Sequence, residues 1–158
     1  MYTGYLQSPL GNVEINASNK GLVSVTILEE TADIPGQSED NPLVAEAKRQ
    51  LTEYFAKQRK QFDLPLDFEG TGFQHKVWEE LLKIPYGTTI SYLQLAIRLG
   101  SKLSVRAVGT ANGRNPLWII IPCHRVVGNN GDLTGYAGGL WRKQWLLEHE
   151  GSINKLAI

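Results

Sequence analysis

The single cysteine of the chain, Cys123, stands directly beside a histidine in the run Ile119-Ile120-Ile121-Pro122-Cys123-His124-Arg125-Val126-Val127. A thiol next to an imidazole is the raw material of nucleophilic catalysis. A free thiol with a pKa of ~8.5 is mostly protonated at neutral pH, so it needs a base or a counter-charge before it attacks anything. The flanking aliphatic residues make the run read as a buried strand entering and leaving a core. Pro122 removes a ladder donor, so the strand ends or bends there and presents Cys123 at its tip. Successive strand residues point to opposite faces, and His124 therefore reaches Cys123 only through such a bend or a bridging water. Glu150 closes a helix, where a carboxylate opposes the macrodipole and calls for a cationic or imidazole partner. Cys123, His124 and Glu150 then fit the roles of nucleophile, base and orienting acid. Spacing alone does not select Glu150 for the third role. A competing reading of Cys123 as a small core hydrophobe stays open at this point, since free cysteine is among the most buried residue types.

Several elements must position these groups. Up to about residue 30 the chain is strand-like, with turn clusters at Ser8-Pro9-Leu10-Gly11-Asn12 and Asn19-Lys20-Gly21 separating β-branched runs. A small antiparallel sheet is expected there. Thr31 to Asn41 reads as a surface loop, and Asn41-Pro42 as an N-cap and first helical residue of a helix reaching about Lys57. Phe62 to Phe68 alternates as a further strand. Glu69-Gly70-Thr71-Gly72 marks a boundary between an N-terminal lobe (1–70) and a C-terminal domain (71–158). Phe73, Val77, Leu81 and Ile84 then repeat at helical spacing. Ser91 and Gln94 form a capping box opening a helix that ends at Gly100, and Ser101 or Ser104 caps a second helix. The pair is a candidate helix-turn-helix. Its second helix carries the small residues Ala107, Gly109, Thr110 and Ala111 around one long cation, Arg106. Gly128 to Asp132 reads as a hairpin turn, and Gly135 to Gly139 as a glycine-rich loop without a phosphate-loop pattern. The last helix holds Trp141 and Trp145, both expected in the core.

Composition bounds the class. The chain has 158 residues, is 42% hydrophobic and 20% charged, and contains one cysteine. That is ordinary for a soluble globular protein and leaves no intramolecular disulfide or cysteine-based zinc site. No segment has the length of a membrane helix, and Met1 to Tyr5 lacks the pattern of a signal peptide, so an intracellular, cytoplasmic setting is expected. The net charge of zero hides an asymmetry: residues 1–70 carry six Lys/Arg against eleven Asp/Glu, residues 71–158 ten against five. A basic second half suits a polyanionic partner.

These residues carry a resemblance. Pro122-Cys123-His124-Arg125-Val126, preceded by Gly113-Arg114-Asn115-Pro116 and followed by Gly138-Gly139-Leu140, resembles the signature of the O6-alkylguanine-DNA alkyltransferases. The likeness extends through Ile84-Pro85-Tyr86-Gly87, Ser91-Tyr92, Arg106-Ala107-Val108-Gly109 and Trp145 to Gly151. It implies an α/β (α+β) fold, with a small RNase H-like N-terminal lobe and a mostly helical C-terminal domain bearing the helix-turn-helix. It also implies irreversible, single-turnover transfer of an alkyl group from O6-alkylguanine, and from O4-alkylthymine, to Cys123. By resemblance His124 deprotonates Cys123 through a water, Glu150 holds His124, and Asn115 braces the turn before the active site. Tyr92 supplies a proton or hydrogen bond to the leaving guanine. Arg106 enters the base stack through the minor groove, about 6 Å wide, where small residues such as Ala107, Gly109 and Thr110 allow close approach. The base is flipped because O6 cannot meet a thiolate inside the stack. The guanine pocket is lined by Val126, Tyr136 and Ala137. The implied partner is double-stranded DNA containing O6-alkylguanine, bound by a monomer that clusters on DNA, with no metal, diffusible cofactor or membrane.

Three positions depart from the family pattern. Trp118 stands where many relatives carry proline or a small residue near the pocket, and Asn112 where some carry methionine. Trp118 is expected to disfavour bulky alkyl groups. Ala137 replaces a serine of some relatives and keeps only the backbone donor. The rival functions are a noncatalytic lesion-binding relative, which lacks the acceptor cysteine, a helix-turn-helix regulator, which carries an additional zinc-binding domain, and a cysteine hydrolase, for which no oxyanion site is marked.

Overall fold

The computed structural model describes residues 1–29, 41–100 and 105–153. They form two compact units, one of Met1–Glu69 with Pro116–Ile120, the other of Gly70–Asn115 with Ile121–Ile158. In the first, β1 (Tyr2–Ser8), β2 (Gly11–Ala17) and β3 (Leu22–Ile27) make an antiparallel meander. Its apolar residues Val13, Ile15, Leu22 and Val25 are buried, and α1 (Pro42–Phe55), which contributes Val44, Ala47 and Leu51, packs on β1 and β2. The Asn41 side chain accepts from Leu43 and Val44 N–H at 2.9 and 3.0 Å, and Pro42 follows at the first helical position. That is the cap expected from the Asn-Pro pair. The loop expected over 31–40 lies outside the described residues.

The strand expected over Phe62–Phe68 is a single parallel bridge between Leu66 and Leu22. Pro65 has no N–H to extend a ladder, and only its carbonyl is used, accepting from Leu22 at 2.9 Å. The same free edge of β3 takes a second guest. Val25 donates to the Pro116 carbonyl at 2.8 Å and accepts from Trp118 N–H at 2.9 Å. A segment from late in the chain thus belongs to the first unit, which a single cut near residue 70 does not anticipate.

The second unit is built on helices. Helix α2 (Gly72–Leu81) is opened by a capping box between Thr71 and Gln74 and buries Val77, Trp78 and Leu81. Phe73, expected on its core face, is 38% exposed. Strand β4 (Ile90–Ser91) leads at once into α3 (Tyr92–Arg98), whose cap is the expected Ser91–Gln94 box. Gly100 follows with φ 67°, the left-handed value a helix-ending glycine supplies. Helix α4 (Val105–Gly113) packs on α3 and α2. The caps proposed for it, Ser101 and Ser104, lie outside the described residues. The last helix, α5 (Leu140–His149), does not bury both tryptophans: Trp141 is 52% exposed with Arg142 over its ring, and Trp145 stacks on His149.

The aliphatic run before Cys123 is buried as expected, but it is not a strand. Ile119 has φ 71°, a left-handed backbone unusual for a β-branched residue, and turns the chain there. Beyond Pro122 a short 3-10 helix (Cys123–Arg125) replaces the strand, and only Val126–Val127 (β5) is extended. β5 pairs in parallel with β4, and so the Gly128–Asp132 turn closes on itself and makes no hairpin. Among the described residues no helix is long and apolar enough to cross a membrane.

Candidate active site

Two asparagines at the end of α4 fix the cysteine. Asn115 Nδ2 donates to the Ile121 carbonyl at 2.8 Å, and Asn112 Nδ2 to the Cys123 carbonyl at 3.3 Å. The indole N–H of Trp78 donates to the Ala111 carbonyl at 2.9 Å, holding the same helix end from α2. A helix end has free carbonyls and no way to hold a neighbouring loop by itself, so side-chain amides perform that task. The β4–β5 pairing sets Ile90 against Val126 and thereby ties the start of α3, where Tyr92 sits, to the segment just after Cys123. Cys123 itself is 4% exposed. Burial pushes its thiol up to about 11, against the Asn115 side chain and the Lys143 charge, which pull it down.

Behind the thiol lies a buried ion cluster. His124 Nε2 is 2.9 Å from Glu150 Oε2, and both side chains are fully buried. Arg125 donates to both Glu150 oxygens, at 2.8 and 2.9 Å, and to the Ile84 carbonyl at 2.7 Å. Burial opposes ionisation of Glu150, but His124 and the bidentate guanidinium outweigh it and hold the carboxyl well below the usual carboxylate range. A carboxylate only accepts, so His124 donates through Nε2 and carries its lone pair on Nδ1. Nδ1 is buried without a hydrogen-bond partner among the described residues. Burial lowers the imidazole pKa despite the pull of Glu150, leaving the ring neutral at pH 7. The alternation problem of a strand disappears, because the 3-10 turn does not send Cys123 and His124 to opposite faces of a sheet.

One face of α4 borders an open cleft of about 610 Å3, lined by Tyr92, Val105, Arg106, Gly109, Thr110, Gly113 and Thr134–Ala137. Gly109 lies against Tyr92, where an added Cβ would meet the ring at 3.7 Å. The Tyr92 hydroxyl donates to the Thr134 carbonyl at 2.9 Å and receives Lys143 Nζ at 3.4 Å. Burial raises the phenols of Tyr92 and Tyr136, and a thiolate at Cys123 would raise both further, so both are protonated at pH 7.

The candidates thus fall into two sets. Tyr92, Arg106, Gly109, Thr110, Tyr136 and Ala137 line the cleft. Cys123, His124, Asn112, Asn115, Val126 and Glu150 are buried, with Asn112 bonded to the Cys123 carbonyl and His124 to Glu150. Ala107 is exposed on α4 but does not line the cleft. Trp118 is on the segment paired with β3 in the first unit and is not a cleft residue. Asn112, expected in the substrate pocket, braces the Cys123 carbonyl instead. Two residues escaped the sequence reading, Arg125 and Lys143. A signal for Lys143 was present: with Leu146, Leu147 and Glu150 it falls at helical spacing on the buried face of α5.

Comparison with known proteins agrees along the whole chain. Residues 72–152 match the family model for the 6-O-methylguanine DNA methyltransferase DNA binding domain, and residues 1–68 the model for its ribonuclease-like domain. The methylated-DNA–protein-cysteine methyltransferase of Methanosarcina acetivorans is 45% identical over 155 residues, covering 96% of this chain and 99% of its own. The enzyme of the same name from Mycobacterium tuberculosis is 45% identical over 150 residues, covering 93% and 90%. The crystal structure of Mycobacterium tuberculosis OGT in complex with DNA superposes with TM-score 0.87 at 43% identity, covering 96% of this chain and 94% of that one. A buried cysteine site beside a cleft on a helix pair, on this two-unit fold, belongs with these proteins. The chain is a member of the 6-O-methylguanine DNA methyltransferase family.

Proposed function

We propose that this chain repairs DNA by direct reversal, moving the alkyl group of O6-alkylguanine in double-stranded DNA onto Cys123. The observation that carries the reading is the placement of the only cysteine, its segment held by Asn112 of α4 and by Asn115 just beyond it, while one face of the same helix lines the cleft. The α4 face and Arg106 take the duplex through its minor groove, and the damaged base leaves the stack to reach the thiol.

The thiol is protonated in the resting protein, because burial dominates its pKa. His124 takes that proton on Nδ1 through a water, while Glu150 stabilises the resulting imidazolium. The sulfur then attacks the alkyl carbon in line, the carbon–O6 bond breaks, and guanine leaves with a proton from Tyr92. Tyr92 holds its proton on the Thr134 carbonyl in the resting site, so this donation requires the hydroxyl to exchange that partner for the base. Asn115 braces the turn, and Val126, Tyr136 and Ala137 contact the guanine. The product is a thioether at Cys123, which water and cellular thiols do not cleave, and each molecule acts once. The cytoplasm, where thiols stay reduced, suits that chemistry.

The test is stoichiometric. With methylated duplex in excess over protein, restored guanine rises to one equivalent per protein molecule and stops. Continued turnover would contradict a consumed cysteine.

A further inference from the structure

Lys143 is the one lysine among the buried charged residues, at 0% exposure. Its Nζ donates to the Val126 carbonyl at 2.6 Å and to the Thr134 carbonyl at 2.7 Å, and reaches the Tyr92 hydroxyl at 3.4 Å. It also lies 5.6 Å from the centre of the Tyr92 ring. An ammonium has three donors, and three oxygens from three different segments take them. Among the described residues it has no carboxylate partner, although buried cations are ordinarily paired. The carbonyls it holds belong to the strand that follows Cys123 and to the loop lining the cleft.

We propose that Lys143 is a positioning residue for the alkyl-accepting thiol: its ammonium is the counter-charge of the Cys123 thiolate, and its two carbonyl bonds lock the cleft loop to the cysteine segment. The proposal rests on the repair reading only in naming what the thiol accepts. Nζ sits on the Val126 carbonyl, three residues beyond Cys123 in the same buried segment, so the ammonium draws the thiol down and a thiolate would hold the ammonium up against its burial. With its pKa lowered to about 8, Lys143 is mostly charged at pH 7. The titratable groups facing it are Cys123, Tyr92 and His124.

Cys123 is the only thiol in the chain, so its modification by iodoacetamide across pH reads its ionisation directly. Lys143→Met keeps the stem and removes the charge. It is expected to move the thiol titration to higher pH and to slow modification at neutral pH about tenfold, the effect of a one-unit shift. Methyl transfer from DNA should slow with it. Lys143→Ala with added ethylammonium provides the second arm, because a free amine seated in the vacated space should restore the rate. Titration curves that coincide for wild type and Lys143→Met would overturn the proposal, as would an absence of amine rescue in a folded Lys143→Ala. The thiol assay uses no DNA. A wild-type protein that leaves methyl on DNA would therefore count against the repair reading alone.

Discussion

Glu150 and Arg125 form a buried, bidentate ion pair, with Nε to Oε1 at 2.8 Å and Nη2 to Oε2 at 2.9 Å, while the same carboxylate accepts from His124. One residue at the end of α5 thus holds both residues that follow Cys123 in the 3-10 turn. The guanidinium reaches across to the Ile84 carbonyl and lies over the Tyr86 ring, anchoring the turn that follows α2 as well.

Removing that carboxylate should be costly. Glu150→Gln leaves Arg125 buried without its counter-ion, and such losses destabilise by about 3–5 kcal/mol. Urea denaturation should show this loss, together with little or no methyl transfer by the fraction that remains folded. A midpoint within error of wild type would show that Arg125 finds another partner.

Acid should weaken the fold, with the sign set by two lowered pKa values. The unfolded-state imidazole titrates at ~6.5, and the folded-state value of His124 lies below it. Unfolded chains therefore bind the proton first, and stability present above that value falls as pH drops. Glu150 adds a loss of the same sign below the unfolded carboxyl value of ~4.3. The urea midpoint should fall from about pH 7 to about pH 5.5 and further toward pH 4. A flat or rising midpoint would mean the cluster is not buried in solution.

Tyr92→Phe removes the hydroxyl while keeping the ring that packs against Gly109. Loss of a positioned proton donor slows chemistry by about 100-fold or more. Single-turnover rates should fall accordingly, with affinity for methylated duplex unchanged. An equal loss in rate and affinity would reassign Tyr92 to DNA binding.

Arg106→Ala separates delivery from chemistry. Arg106 lies on the cleft face of α4 and is exposed. Transfer from duplex should drop steeply, and the slope of log affinity against log salt should lessen by about one contact. Reaction with a free alkylated guanine base should proceed as in wild type. Parallel loss on both substrates would place Arg106 at the reacting centre.

Much of this arrangement was legible in the residues, for identifiable reasons. Caps are local, so Asn41-Pro42 and Ser91 with Gln94 announced their helices correctly. The unfavourable position of Glu150 at a helix end called for a cationic or imidazole partner, and both His124 and Arg125 supply one. What misled was the run of aliphatics around Cys123, because burial and strand geometry leave the same apolar pattern. The strand is broken at Pro122, as expected, by the 3-10 turn, and earlier by the left-handed backbone at Ile119, which no residue type signals at a β-branched position. Pairing of Leu117 with Val25 is a long-range choice made by a free strand edge, invisible to local reading. Lys143 was passed over because a lysine on a helix is usually solvated, and only its register with Leu146 and Leu147 marks it as buried.

The most direct measurement is intact mass after incubation with an O6-methylguanine duplex, followed by peptide mapping. Wild type should gain one methylene, located on the peptide containing Cys123, and Cys123→Ser should gain none while still binding the duplex. An unmodified wild-type mass with methyl remaining on the DNA, or an adduct at any other residue, would contradict transfer to Cys123.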